Sequence, residues 1–259
     1  MLAAEHPWPG IAAERRNHVD RIEIRYFATS AFEVITEGGK RVLIDPCITG
    51  WNGKNVSPVA LDTVMDIDLI LVSHAAPDHF GDTLELARRT GAQGVCDPAV
   101  HHILLDSGIE PERVHITAWG MVRQFDGVTV RCVESKHVSC TVHRGSMVTG
   151  LPLGFMLSTE SGRTIYHSGD TAIFSDLKLF AELYAPEVGM LPISGFPGMP
   201  AELSIDEAAL VAKWMKLKVV MPTHYALGSD EPAQFEAAMM RESSTTKVVT
   251  LKPGEWVSK

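Results

Sequence analysis

Five places in the chain set a histidine or an aspartate directly behind a run of strand character: Asp45, the group His74/Asp78/His79, His137, Asp170 and His224. Strand ends are where a rigid scaffold presents functional side chains. Imidazole and carboxylate are the donors that suit Zn²⁺, Mn²⁺ or Fe²⁺. A carboxylate arriving between two histidine sets, as Asp170 would, can bridge two ions. Each residue also has a plainer reading. Asp78 suits a helix N-cap, His79 a first-turn surface position, and His137 and His224 satisfied structural histidines. Asp170 after Ser168-Gly169 suits a turn, and Asp45 before Pro46 a turn with a supporting role. Their joint placement separates the two readings, because all five fall at strand ends.

The elements that would position them follow from periodicity. Arg21 to Phe27 alternates polar and apolar residues, the period of a half-buried strand. Ala31 to Thr36 and Arg41 to Ile44 follow, joined by Gly38-Gly39, and Pro46 stops the third strand. Ile67 to Ser73 reads as a buried strand emptying into SHAAPDHFGD. A helix over Thr83 to Thr90 comes next, with Asp82 and Glu85 spaced as a capping box. Short βα units run through Cys96 and Ala99 to Leu105. Val114 to Val133 is β-rich with an Asp126-Gly127 turn, and strands at Gly154 to Ser158 and Thr164 to His167 follow. Helices over Phe174 to Tyr184, Ile205 to Trp214 and Pro232 to Met240 alternate with strands at Val188 to Leu191, Val219 to Met221 and Lys247 to Leu251. Each half therefore carries antiparallel strands and then βα units, the order of two sheets packed face to face with helices outside, an αββα sandwich. We expect one α/β domain of two similar halves over residues 21–259, preceded by an N-terminal extension over residues 1–20.

Composition excludes several classes. The chain has 259 residues, 45% hydrophobic, with 23 basic and 32 acidic side chains for a net charge of −9. A chain of this length buries about three quarters of its unfolded surface and needs no disulfide staples. Its four cysteines, Cys47, Cys96, Cys132 and Cys140, are scattered without a CxxC pair and read as reduced thiols. No apolar run approaches the roughly 20 residues that span a bilayer. The first residues, with Glu5 and His6, lack the charge pattern of a signal peptide. The expectation is a cytoplasmic protein with no membrane partner, and the acidic balance argues against nucleic acid.

The motifs together resemble the metallo-β-lactamase superfamily. Its signature is HxHxDH after a strand, then a distant His, a distant Asp and a final His at strand ends. Within it the chain looks like the ascorbate-6-phosphate lactonase-like branch of metal-dependent hydrolases. VLIDPCITG, LILVSHAAPDHFGDTLELARRTGA, YHSGDTAIFSDLKLFAELY, MLPISG and VVMPTHY carry the likeness, which runs from about Arg21 to Leu251. The resemblance implies a first metal site of His74, His137 and Asp170, and a second of Asp78, His79, Asp170 and His224. One departure bears on the chemistry: the signature puts a histidine where this chain has Ala76. Three readings follow. One ion works in the second site; two ions bind, with water, Cys47, Cys140 or His143 filling the gap; or hydrolysis is lost and a ligand is bound.

The leading expectation is a hydrolase with one or two divalent ions (Zn²⁺ or Mn²⁺ first, then Fe²⁺) acting on a small molecule, a lactone or other cyclic ester or amide. A divalent ion lowers the pKa of its water to about 7, supplying hydroxide at neutral pH. Asp78, His74 and His137 are assigned catalytic roles, the two histidines holding a second ion weakly or donating hydrogen bonds to the substrate and its developing oxyanion. Alternatives are phosphodiester hydrolysis and non-catalytic ligand binding on a degraded site. Loops at Ile48 to Pro58 (with Trp51), Ser139 to Pro152 (with His143 and Arg144) and Ser194 to Ser204 are expected to roof the pocket. The family likeness also implies a homo-oligomer.

Overall fold

The computed structural model describes residues 21–195, 201–242 and 244–259; the proposed N-terminal extension lies outside them. In chain order the elements are β1 (Glu23–Ala28), β2 (Ala31–Ile35), β3 (Arg41–Ile44), β4 (Leu69–Val72), α1 (Pro77–Phe80), α2 (Thr83–Thr90), β5 (Gln93–Cys96), α3 (Pro98–Asp106), β6 (Val114–Ile116), β7 (Val122–Phe125) and β8 (Val128–Glu134). They continue as β9 (Ser139–His143), β10 (Ser146–Gly150), β11 (Leu153–Ser158), β12 (Thr164–His167), α4 (Leu177–Tyr184), β13 (Val188–Pro192), α5 (Ile205–Trp214), β14 (Val219–Thr223), α6 (Glu231–Arg241), β15 (Lys247–Val248) and β16 (Trp256–Ser258). One seven-stranded sheet runs β16-β1-β2-β3-β4-β5-β6 and the other β15-β14-β13-β12-β11-β8-β7. In both, an antiparallel half passes into a parallel half, at β3 and at β12.

The inward faces meet in one core, where Ile24, Phe32 and Val34 of the first sheet lie with Val130, Phe155 and Tyr166 of the second. Leu86 of α2 and Val100 and Ile103 of α3 cover the outer face of the first sheet, against Leu43 and Ile70. Helices α4 to α6 cover the second, with Ala208, Val211 and Phe235 fully buried. This is the expected αββα layering.

Two local readings change, and one strand is present that was not expected. Asp82 precedes α2 without capping it; its carboxylate accepts hydrogen bonds from the amides of Ile48 and Thr49 and from the Thr49 hydroxyl at 2.7–2.9 Å. It therefore pins the loop after β3, where three donors outweigh one cap. Ser139 to Pro152 is mostly a two-stranded hairpin rather than a loop, turning at Arg144-Gly145, both at positive φ as a type I′ turn requires. The final strand β16 pairs with β1 through Glu23↔Ser258 and Arg25↔Trp256.

Inside the first sheet, Glu33 of β2 is fully buried between two arginines. Its Oε2 accepts from Arg25 on β1 and its Oε1 from Arg41 on β3, each at 2.5 Å. The Arg25 guanidinium also lies 4.5 Å from the Phe27 ring centre and 4.7 Å from that of Trp256. Glu33→Ala leaves both cations unpaired across three strands. The expected loss is roughly 3 kcal/mol, the low end for breaking a buried pair, because both arginines keep some contact with water. Urea denaturation measures it, and a loss below about 0.5 kcal/mol, typical of a surface change, would contradict it.

Candidate metal centre

The C-terminal ends of β3, β4, β8, β12 and β14 converge, and the five predicted spots converge with them. Pro77 at the first helical position starts α1 directly after β4, since its fixed φ suits that position and its missing N–H is not needed there. One turn of helix then presents Asp78 and His79, both buried. Gly169 lets the β12 end approach the β4 end: its φ is +57°, and a Cβ there would lie 2.7 Å from the Leu153 carbonyl oxygen and 2.8 Å from Ser73 Cβ. Asp170 is thereby brought to the histidines of the other sheet. The loop carrying His137 is tied to that of Asp170, because Ser135 Oγ donates to the Asp170 carbonyl at 2.5 Å and the Lys136 amide to Thr171 Oγ1 at 2.9 Å. His224 sits in the left-handed region, φ +55°, where a non-glycine residue costs energy and the surroundings must hold it. Its amide donates to the Thr29 carbonyl at 2.8 Å.

Hydrogen bonds aim three of the rings. Asp45, itself fully buried at φ +46°, accepts from the Ser73 amide and hydroxyl at 2.7 Å and from His79 Nδ1 at 2.8 Å. With its hydroxyl proton given to Asp45, Ser73 Oγ accepts from His74 Nδ1 at 3.0 Å. His224 Nδ1 donates to the Ser194 carbonyl at 2.9 Å. In each ring Nδ1 is engaged outward and Nε2 faces the centre, the arrangement that orients a ligating imidazole.

Two groups then lie with their donor atoms within 4.8 Å of one another: His74, His137 and Asp170; and Asp78, His79 and His224. Asp170 Oδ2 joins them, 3.1 Å from His79 Nε2 and 3.2 Å from His224 Nε2. A third group is Asp170, Glu202 and His224, and Glu202 was not foreseen. It lies in the segment before α5, without strand periodicity or histidine neighbours, so no sequence signal marks it.

The electrostatics suit a cation. His74 Nε2 and Asp170 Oδ1 are buried without a hydrogen-bond partner, an expensive state unless something else satisfies them. Burial, then the neighbouring His79, push His74 down to about 3, so this ring is a neutral donor. Burial opposes ionisation of Asp170, but His224 and His79 outweigh it and hold its carboxyl well below the usual range. Burial likewise opposes charge on His224, yet Asp170 and Asp78 raise it to about 9. The buried carboxylates thus draw positive charge onto this ring. The donor set, imidazoles aimed inward by their Nδ1 bonds and ionised carboxylates, fits a divalent ion, which would take the place of the positive charge these carboxylates draw onto His79 and His224.

The residues proposed to fill the gap at Ala76, and two others that the fold places nearby, lie outside these groups. Cys47 is a buried thiol pushed up to about 12 by burial and then by Asp78 and Asp82. Cys140 is exposed on β9. His143 Nε2 lies 2.6 Å from Asp106 Oδ2, which Arg144 also meets at 2.9 Å, so the hairpin tip is spoken for by α3. His167 packs beneath the centre, with Nε2 donating to the Ser30 carbonyl at 3.0 Å. Tyr225 is a packing residue against Tyr26, ring centres 6.1 Å apart. A cleft of about 200 Å³ opens on Asp78 and His224, walled by Trp51, Lys54, Asn55 and Tyr225. A wider one of about 650 Å³ reaches His137 from the other side, past Trp119, Lys136 and Leu151. Part of the third predicted roof loop, residues 196–200, lies outside the described residues.

Comparison with known proteins shows the family and the fold. The beta-lactamase superfamily domain matches residues 40–225. A UPF0173 metal-dependent hydrolase of Methanosphaera stadtmanae is 33% identical over 243 residues, covering 90% of this chain and 98% of the relative. One from Pyrococcus abyssi is 36% identical over 238 residues, with coverage of 90% and 98%. Among solved structures, a metallo hydrolase from Ignicoccus hospitalis superposes with a TM-score of 0.77 at 30% identity, over 92% of this chain and 98% of that one. The chain thus belongs to the metallo-β-lactamase superfamily, within the UPF0173 family of metal-dependent hydrolases.

Proposed function

We propose that the protein hydrolyses a small cyclic ester or amide, a lactone first, with a divalent ion held mainly by Asp78, His79, Asp170 and His224. The observation that carries this reading is the set of inward-facing Nε2 and carboxylate atoms at the foot of the cleft beside Asp78 and His224. A bound divalent ion would supply Lewis acidity and a water activated near neutral pH. The chain's part is to hold the substrate and exclude water. Trp51 and Tyr225 offer apolar walls to a small ring, Asn55 and Lys54 polar contacts at its edge. His74 and His137 stand on the Asp170 side, rings 5.0 Å apart; neutral His74 is suited to a weak second ion or to a hydrogen bond with a developing oxyanion.

Phosphodiester hydrolysis has less support. Lys54 is the one lysine or arginine among the described residues that line the narrow cleft. Lys136 beside the wider one is engaged with Glu134 at 2.6 Å. The ligand-only reading rests on Ala76 alone, whereas the second-site residues stand together. No helix among the described residues is long and apolar enough to cross a membrane. A cytoplasmic location and a homo-oligomer complete the proposal; the exposed cross-strand pair Val142 and Met147 on the hairpin offers an apolar contact for self-association.

The test is metal analysis on protein purified without chelator or affinity metal, followed by pH-stat assays on a lactone panel and on a phosphodiester. The expected result is about one equivalent of metal and lactone opening that stops with chelator and returns with Mn²⁺ or Zn²⁺. Ala76→His should raise the metal content by one equivalent by restoring the absent imidazole. No uptake after incubation with either ion would overturn the reading.

A further inference from the structure

Glu202 stands apart from the residues that the family signature marks. It is 9% exposed, and its carboxylate forms a group with Asp170 and His224 whose donor atoms lie within 4.8 Å of one another. Its position is fixed from both sides of the backbone. Leu203 is fully buried in the core, and Ser204 caps α5 in a reciprocal capping box with Glu207. Oε2 accepts a hydrogen bond from the Ala201 amide at 3.1 Å. Among the described residues no lysine or arginine is within ion-pair distance of Glu202, Asp78 or Asp170.

Three carboxylates therefore reach His224, Asp170 and Glu202 in one group and Asp78 in another, with Asp170 Oδ1 left without a hydrogen-bond partner. Histidines meet two of these carboxylates, Asp78 and Asp170, and a divalent ion would offset the repulsion among all three. Ala76 deprives the opposite side of an imidazole, leaving His74, His137 and Asp170 there, while on this side two groups, Asp78/His79/His224 and Asp170/Glu202/His224, share His224.

We propose that Glu202 is a fifth ligand of the Asp78/His79/Asp170/His224 centre, making it an oxygen-rich site that selects Mn²⁺ or Fe²⁺ over Zn²⁺. The proposal rests on the reading of this site as a metal centre. Two imidazoles and three carboxylates exceed the four ligands of a tetrahedral zinc site. Hard oxygen donors favour manganese, and histidine–carboxylate sets with open positions suit Fe(II). The single-ion state expected from Ala76 then has a physical cause on both sides, one imidazole lost and one carboxylate gained.

The test compares wild type, Glu202→Gln and His224→Ala, each stripped of metal. Mn²⁺ affinity is read from the EPR signal of free Mn²⁺, Zn²⁺ affinity from competition with a chromophoric chelator, and melting temperatures are taken with and without Mn²⁺. Glutamine keeps the shape and the bond from the Ala201 amide but removes the charge. Glu202→Gln is expected to weaken Mn²⁺ binding by about 10- to 100-fold, at least the range for a residue that only supports a ligand, and Zn²⁺ binding by less. Without metal its melting temperature should equal or exceed that of wild type, because one of three neighbouring negative charges is gone; with Mn²⁺ it should fall below. Wild-type Mn²⁺ affinity in Glu202→Gln, or a melting temperature lowered equally with and without metal, overturns the assignment and leaves Glu202 a structural residue. If His224→Ala loses the ion while Glu202→Gln keeps it, the metal centre stands and Glu202 alone is wrong. If wild type takes up neither ion, both fall.

Discussion

Asp170→Asn should empty the centre. The expected loss of metal affinity is at least about 100-fold, the upper range for residues that merely support a ligand, with hydrolysis lost alongside it. Asp170 is the one residue common to both sides: it groups with His74 and His137, and again with Glu202 and His224. Its Oδ2 lies 3.1 Å from His79 Nε2 and 3.2 Å from His224 Nε2, and its buried Oδ1 has no hydrogen-bond partner. Asparagine keeps the size but loses the charge, and its amide nitrogen cannot ligate. The backbone should tolerate the change, because the approach of the two sheets here depends on Gly169 and on the Ser135–Asp170 carbonyl bond rather than on the Asp170 carboxylate. Elemental analysis and calorimetric titration, with circular dichroism as the folding control, decide it. A folded Asp170→Asn protein with wild-type metal content would remove Asp170 from the centre.

Asp45→Ala should act on stability and metal binding together. Asp45 does not face the centre; it holds the parts that do, accepting from Ser73 N, Ser73 Oγ and His79 Nδ1 while fully buried. Burial opposes its charge, but His79 and His167 and the bond from Ser73 outweigh that and lower its pKa. Truncation strands a buried imidazole, an amide and a hydroxyl at once. Breaking a buried charged pair costs about 3–5 kcal/mol, so the urea midpoint should fall by a large part of a typical domain's stability. His79, no longer held by Nδ1, should also lose metal affinity by about 10- to 100-fold. Asp45→Asn, which keeps an acceptor for the Ser73 amide, should lie between. Wild-type metal affinity in folded Asp45→Ala protein would mean that the His79 ring is positioned by packing alone.

The strands were legible in the sequence where one face is core and the other is not. Arg21 to Phe27 alternates, and β1 is found at Glu23–Ala28; the apolar run at Ile67 to Ser73 contains β4. The donors at strand ends were legible for the same reason, because a strand's stop and a following His or Asp are both local events. The family signature then supplied their order, and the absent imidazole at Ala76 could be read from one position. The β9–β10 hairpin was not legible: Val142 and Met147 are exposed, so it has no buried face to impose a period. Asp82 carried the spacing of a helix cap, but three donors from a loop far back in the chain took its carboxylate, a competition that local spacing cannot reveal.

By itself, then, the chain determined the layered fold, the strand-end donors and the gap at Ala76, since each follows from side-chain period or residue type within a few neighbours. Only the tertiary structure decided which atoms point inward. Asp45, Ser73 and Ser194 come from different strand ends to engage the Nδ1 atoms of His79, His74 and His224, and Gly169 lets two sheets approach closely enough for Asp170 to join them. Glu202 belongs wholly to that second kind of information. An isolated glutamate before a helix carries no period and no motif, and it becomes a candidate ligand only because the packing of Leu203 and the capping of α5 leave its carboxylate beside Asp170 and His224.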